Sequence, residues 1–380
     1  MHILILPSWY VNSLNNLSGI FFKEQAEGLA KYGNKVGVIA IQERSVIDMV
    51  KQRKIVLLSN KFVENDVITY SVQYPAIPKL HKLKQKLKIE IFKTQFKKYI
   101  TENGLPEIVH LHSFMVGEFA IWIKENYGIP YVVTEHFSGF ARNTISLKDL
   151  EKAKKIFEKS DCNIAVSKQF SLLLETKFNL RFEYVPNIVN IDFFELKEFR
   201  QKDSFTFINI AFLDKNKNQD MLIKSFTKAF SGELNVKLSI AGDGPEYNSL
   251  KNLIKELNME HQISLYGRAT RDEVKTLLQK SDAFVLSSQY ETFGVVVIEA
   301  MACGLPVVAT KCGGPESIII SDKLGILSNI NEADFVESLK IVYENKNKYD
   351  SKFIREYIVE NFSEESICNK LMKVYNAIVK

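Results

Sequence analysis

Short runs of β-branched and apolar residues recur along the chain with helix-length stretches between them: Ile3–Leu6, Val36–Ile41, Val67–Val72, Ile108–Leu111, Tyr131–Thr134 and Asn163–Val166 in the first half. Strands that alternate with helices pair in parallel, because a parallel partner is reached only by a crossover, and such a sheet is covered by helices on both faces. The pattern predicts an α/β, doubly wound architecture whose ligands bind at the carboxyl ends of the strands. The rhythm breaks after VPNIVN, where Ile191–Ser204 is charged and aperiodic, and resumes at Phe205 with FTFINIAF, VKLSIAG, ISLYG, AFVLS and PVVAT. At about 100–200 residues per domain, 380 residues make two. The expected division is residues 1–187, a linker 188–204, residues 205–362 and a C-terminal helical stretch 363–380.

Composition narrows the function classes. Apolar residues are 46% and charged residues 25%, as in globular proteins, and the net charge of +5 is small against so many ionic side chains. Lysine greatly outnumbers arginine, which is not the footprint of a phosphate-backbone reader. MHILILPSWY reads as a first strand stopped by Pro7, not as a leader, and no window approaches the length of a membrane span. Cys162, Cys303, Cys312 and Cys368 show neither paired nor zinc spacing, which suits a reduced, cytoplasmic setting.

The densest chemistry lies in SDAFVLSSQYETFGVVVIEAMACGLPVVATKCGG, Ser281–Gly314, which reads as strand, loop, helix, strand. A helix start offers unpaired N–H groups and the positive end of the macrodipole, so the amides of Phe293, Gly294 and Val295 are suited to a phosphate. Glu291 and Glu299 flank that point, and carboxylates are acceptors for hydroxyl groups, which implies sugar rings. A sugar diphosphate is the simplest ligand with this layout. Ser18, Gly19 and Ile20 precede another helical stretch, FFKEQAEGLAKYG, with Gly19 either as backbone facing a phosphate or as an N-terminal turn. Strand alternation puts His110 and His112 on one face; no third ligand lies nearby in sequence, so packing or acceptor contact outweighs metal binding there. His136 follows a strand end, in a loop containing Gly139, where its imidazole would reach a cleft. Gly242, Gly244 and Pro245 form a turn that either borders a nucleotide or is only a turn.

The pattern E-x-F-G-x-x-x-x-E, A-x-x-x-G-x-P-V-V-A-T and a Gly-Gly loop resembles the donor-site signature of retaining GT-B glycosyltransferases, in particular glycosyltransferase family 4 of the bacterial group 1 type. PSWY with G-I-F-F-K-E-Q-A is similar to the opening of many bacterial members. The resemblance implies two Rossmann-like doubly wound domains facing a central cleft, and transfer of a sugar from a nucleotide-sugar donor, UDP- or GDP-linked, to a glycan or lipid-linked acceptor in surface polysaccharide or glycolipid synthesis. It implies donor contacts from Gly19, Phe293, Gly294, Val295 and Glu299, and catalytic parts for Glu291, His136 and Lys217. In AFLDKNKNQDMLIKSF the lysine of the family pattern is Lys217, but Phe212 stands where the pattern has an arginine. Lys215 or the helix-start amides are the candidates to compensate. There is no D-x-D in the chain, so neither metal nor cofactor is expected. Two other readings fit the residues: a nucleotide-sugar epimerase, which consumes donor without acceptor, and an inactive sugar-nucleotide-binding protein.

Lys79–Lys98 belongs to a stretch with eight lysines and one acid before Ile100. Its apolar residues lie on nearly opposite faces, which predicts two helical pieces partly packed on the body. Its cationic side suits an anionic acceptor or peripheral contact with the inner face of a membrane.

Overall fold

A computed structural model describes residues 1–11, 19–45, 58–76, 81–196 and 203–379. The chain forms two compact units: Met1–Val166 with Ser171–Val185 and Ile367–Lys380, and Pro186–Ser366 with Ser167–Phe170.

The first unit holds β1 (His2–Pro7), α1 (Ile20–Lys31), β2 (Lys35–Ser45), β3 (Leu58–Glu64), β4 (Val67–Ala76), α2 (His81–Asn103), β5 (Ile108–His112), α3 (Gly117–Tyr127), β6 (Tyr131–Glu135), α4 (Leu147–Lys159), β7 (Cys162–Ala165), α5 (Lys168–Phe178) and β8 (Glu183–Tyr184). Its sheet order is β3-β4-β2-β1-β5-β6-β7-β8. Every pairing is parallel except the β3–β4 hairpin, whose turn residues Asn65 and Asp66 have φ of 48° and 62°. Positive φ at both central residues gives the primed turn that matches strand twist. The central strands β1, β5 and β6 are buried along their whole length, as a two-sided parallel sheet requires.

The second unit holds β9 (Phe205–Ile210), α6 (Gln219–Phe230), β10 (Val236–Ala241), α7 (Tyr247–Glu256), β11 (Ile263–Gly267), α8 (Arg271–Lys280), β12 (Ala283–Leu286), α9 (Val295–Ala302), β13 (Val307–Thr310), β14 (Gly325–Ser328), α10 (Glu332–Glu344) and α11 (Ser351–Phe362). Its sheet runs β11-β10-β9-β12-β13-β14, all parallel. Phe207, Phe226, Phe230, Leu238 and Phe335 pack one face of it, each 0–1% exposed. Such burial stabilises by about 1.5–3 kcal/mol per large side chain. A last helix, α12 (Glu364–Ile378), follows.

Both sheets reverse their winding at one place, between β1 and β5 in the first and between β9 and β12 in the second. Loops leaving the carboxyl ends of these neighbouring strands diverge to opposite faces, the place where open α/β sheets take their ligands.

The lysine-rich stretch departs from the expected two pieces. Among the described residues it is one helix, α2, anchored through Phe92, Phe96 and Tyr99, each 0–1% exposed, while Leu87 is 39% exposed. The i, i+4, i+7 spacing of that buried set carries the helix onto the body, and the amino-terminal turns simply extend from it. No helix among the described residues is long and apolar enough to cross a membrane.

Candidate donor site

In the second unit, the loops after β9, β12 and β13 converge. The amide of Gln289 donates to Asn216 O at 2.7 Å, and the amide of Glu291 to Cys312 O at 2.9 Å. Ser287 Oγ donates to Lys217 O at 2.8 Å, and Thr310 Oγ1 to Ser288 O at 2.6 Å. Lys217 and Glu291 lie 74 residues apart in sequence, yet the Lys217 ammonium donates to Glu291 Oε1 at 2.5 Å. Ser288 Oγ donates to the same oxygen at 2.7 Å. Burial alone would lower the Lys217 pKa, but the Glu291 charge and hydrogen bond, with Asp214 behind, outweigh it and hold the ammonium above its ordinary value.

Gly294 caps α9 at φ 98°, a left-handed conformation that glycine adopts without Cβ strain. Phe293 is 1% exposed and its ring packs 6.0 Å from Phe362, which fixes the turn ahead of α9. The Gly-Gly loop answers to packing: a Cβ on Gly314 would lie 2.2 Å from Phe293 O, and one on Gly313 2.9 Å from Glu291 O. The loop is thus pressed against the strand-to-helix turn that carries the acid. Gly242 and Gly244 do the same one loop over, where a Cβ would lie 1.8 Å from Ala211 O and 2.3 Å from Leu213 O. Their turn supports the loop that bears Lys217.

Glu299 lies on α9, with Arg271 Nη1 3.9 Å from its Oε1. Phe212, in place of the family arginine, is 59% exposed. Its carbonyl accepts from the buried Gln219 side chain at 3.3 Å.

In the first unit, Gly19 has φ 75° at the start of α1, and a Cβ there would lie 2.8 Å from Trp9 O. The loop preceding it, residues 12–18, lies outside the described residues. His136 follows β6 and is buried, its Nε2 3.1 Å from His112 Nδ1. His112 in turn stacks on His110 at 4.2 Å, and Phe22 of α1 lies 4.5 Å from His112 and 4.9 Å from His136. His110 Nδ1 is 2.5 Å from the Tyr375 hydroxyl on α12, and its Nε2 2.7 Å from Thr134 Oγ1. The third histidine that sequence spacing did not offer to His110 and His112 is therefore His136, brought in from the adjacent strand. The arrangement is a hydrogen-bonded and stacked chain, and no cluster of three metal-ligating groups occurs among the described residues.

Sequence reasoning also missed Glu135. Fully buried at the end of β6, it accepts from the amides of Phe114, His136 and Phe137 at 2.8–3.0 Å. Burial pushes its carboxyl up, and those amides pull it back. It ties the His136 loop to Ser113 and Phe114, where Ser113 has φ 66° and ψ 147°, a strained setting for a residue with a Cβ. An acid immediately before the loop histidine was the available signal.

Two family models match the chain in succession: one described as Glycosyltransferase Family 4 over residues 19–193, and one described as Glycosyl transferases group 1 over residues 190–357. Each model covers a little under half of the chain, so its first part is similar to Glycosyltransferase Family 4 and its second to Glycosyl transferases group 1. It is 30% identical over 280 residues to an uncharacterized glycosyltransferase of Methanocaldococcus jannaschii, covering 69% of this chain and 63% of that one. It is 31% identical over 176 residues to the N-acetyl-alpha-D-glucosaminyl L-malate synthase of Bacillus anthracis, covering 46% and 45%. The match thus spans less than two thirds of either relative. The Anabaena protein HepE, solved in complex with UDP and glucose, has a TM-score of 0.74 at 15% identity, over 99% of this chain and 100% of that one, which shows the GT-B fold. In this chain Lys217, Glu291, Phe293, Gly294, Val295 and Glu299 belong to the second unit, whereas Gly19 and His136 belong to the first.

The histidines make the first unit acid-sensitive. Burial lowers His110 and His136 to about 3, and burial with its two neighbours lowers His112 well below the ordinary value of 6.5. Below pH 6.5 the unfolded chain then binds more protons than the folded one, so stability falls as pH falls. The loss from pH 7 to pH 5 is expected to be about 4–6 kcal/mol for the three imidazoles, offset in part by the raised carboxyl of Glu135. Urea unfolding followed across that range checks it, and a flat profile would mean the imidazoles take up protons in the fold as readily as in the unfolded chain.

Proposed function

We propose that this chain transfers a sugar from a UDP- or GDP-linked donor to a glycan or lipid-linked acceptor, with retention of anomeric configuration and without a metal ion. The observation that carries the reading is the Lys217–Glu291–Ser288 cluster beside the open start of α9, at the point where the second sheet reverses its winding. A cation and a helix start favour the diphosphate, and the carboxylate between them favours sugar hydroxyls. Support for the donor class comes from the family matches and from the UDP and glucose named for HepE.

In this reading Lys217 and the amides of Phe293, Gly294 and Val295 stabilise charge on the departing diphosphate, Glu291 fixes the donor sugar, and Glu299 accepts from the ribose. Of the first unit, Gly19 is offered to the diphosphate and His136 to the donor sugar beside the reacting carbon. His136 is neutral, so it acts as a hydrogen-bonding group and not as a cation. With Phe212 contributing no charge, the amides and Lys217 carry what an arginine would share. The departing phosphate takes the acceptor's proton, and product is released with the configuration kept.

Incubation with a panel of nucleotide sugars, with released nucleotide followed by mass spectrometry in excess chelator, is expected to show turnover that needs both donor and acceptor. Activity lost to EDTA and restored by Mg²⁺ would overturn the metal-free reading, and consumption of donor without acceptor would favour an epimerase. Glu291→Gln is expected to lower turnover about 10²-fold with little change in donor binding, since its contact strengthens in the transition state. An unimpaired variant removes Glu291 from the mechanism.

The acceptor is proposed to be anionic or lipid-linked, in bacterial surface polysaccharide or glycolipid synthesis at the inner membrane face, because α2 displays exposed Lys86, Lys97 and Lys98. Each lysine near an anionic surface contributes about 1 kcal/mol, screened beyond about 8 Å at physiological salt. Sedimentation with anionic vesicles is expected to be salt-sensitive and weakened by changing these three lysines to Gln. Equal binding by wild type and variant would make them a solvated face.

A further inference from the structure

The second acid of the site has a partner outside the family signature. The Glu299 side chain is 12% exposed and that of Arg271, the first residue of α8, 19%. Their closest approach of 3.9 Å is an electrostatic pairing, looser than the 2.5 Å bond between Lys217 and Glu291, so it leaves the carboxylate lone pairs open to other donors. The same guanidinium lies over the rings of Phe193 and Phe194, 4.9 and 5.2 Å from their centroids. Stacking of this kind holds an arginine in place at little cost to its charge.

Several polar groups on the elements around Glu299 are engaged elsewhere, while α11 also carries the charged Lys352, Glu356 and Glu360 and α8 also carries Asp272. From α11, Arg355 donates to the carbonyls of Ile191, Phe194 and Ala302, and Tyr357 to Ile318 O. Lys275 of α8 is paired with Glu195 at 2.8 Å. The flanking strands β12 and β13, AFVL and VVAT, bring no titratable side chain. Burial pushes the Glu299 carboxyl up, and Arg271 is the group that pulls it back.

We infer that Arg271 is a positioning residue for the nucleotide, keeping Glu299 ionised and aimed so that a carboxylate receives the ribose hydroxyls. An ionised carboxylate accepts from both hydroxyls of a vicinal diol, whereas the neutral acid turns one of its oxygens into a donor. Hydrogen bonds to the charged acceptor are also about twice as strong. The inference rests on the reading of Glu299 as the ribose acceptor, and the test separates the two.

UDP, GDP and ADP are titrated calorimetrically into the full chain at about pH 6 and about pH 8.5, followed by the 2′,3′-dideoxy form of the tightest binder. Wild type is expected to bind the dideoxy form about tenfold or more weakly, with an affinity for the parent nucleotide that changes little with pH. Arg271→Gln should bind the parent about tenfold more weakly at the lower pH and recover most of it at the higher, because its Glu299 protonates more readily. Arg271→Lys should keep the flat profile. Equal losses at both pH values in Arg271→Gln, or none, overturn the inference while leaving the ribose reading intact. A wild type that binds none of the nucleotides, or does not discriminate against the dideoxy form, overturns the ribose reading itself. Should Arg271→Gln fail to fold, Glu299→Gln carries a neutral side chain at every pH and must bind weakly at both; wild-type affinity there overturns the inference.

Discussion

The chemistry of the second unit depends on hydrogen bonds between loops that leave neighbouring parallel strands at the same edge of the sheet. Backbone and hydroxyl bonds join the loop after β9 to the loop after β12, and the latter to the loop after β13, at Gln289–Asn216, Ser287–Lys217, Thr310–Ser288 and Glu291–Cys312. They hold an ammonium and a carboxylate from distant segments at 2.5 Å. A parallel sheet makes this possible because all its carboxyl ends face one way, and the winding reversal between β9 and β12 opens room beside them. Glycines complete the arrangement: Gly313 and Gly314 let one loop lie against the backbone of another where a methyl group would collide.

The two units solve opposite electrostatic problems. In the second, charges are kept: Lys217 is answered by Glu291, and Glu299 by Arg271, as suits a site for an anionic and hydroxylated ligand. In the first, charges are removed: three imidazoles are buried together and held neutral, each ring engaged by a neighbouring ring or hydroxyl. One charge would be costly there without a partner. The buried Glu135 carboxyl, pushed up by burial, is pulled back by three backbone amides that also fasten the loop presenting His136. The strain at Ser113 lies in that fastening, which is where a fold stores strain when a loop must be held in one shape.

Much of the fold was legible because parallel strands buried on both faces leave nearly continuous apolar runs, as at Ile108–Leu111 and Tyr131–Thr134. Three strands, β3, β8 and β14, left no run to find; β3 has the polar sequence LSNKFVE and sits at the sheet edge with exposed residues. Its signal was the Asn65–Asp66 turn. The continuity of α2 was hidden for a related reason: among its described side chains Gln85, Lys86 and Leu87 are exposed and burial begins at Phe92.

What the sequence determined by itself was local and periodic: which segments are strands or helices, that α9 begins at a glycine, and that two acids eight residues apart flank that start. Spacing along one helix or turn suffices for those statements, because backbone geometry converts it directly into position. Only the tertiary structure decided which charges meet. Lys217 finds Glu291 across 74 residues, Arg271 of α8 finds Glu299 of α9, and His136 finds His112 across two strands of one sheet. Sheet order, not sequence distance, sets those encounters, and sheet order follows from how helices cover both faces of a parallel core.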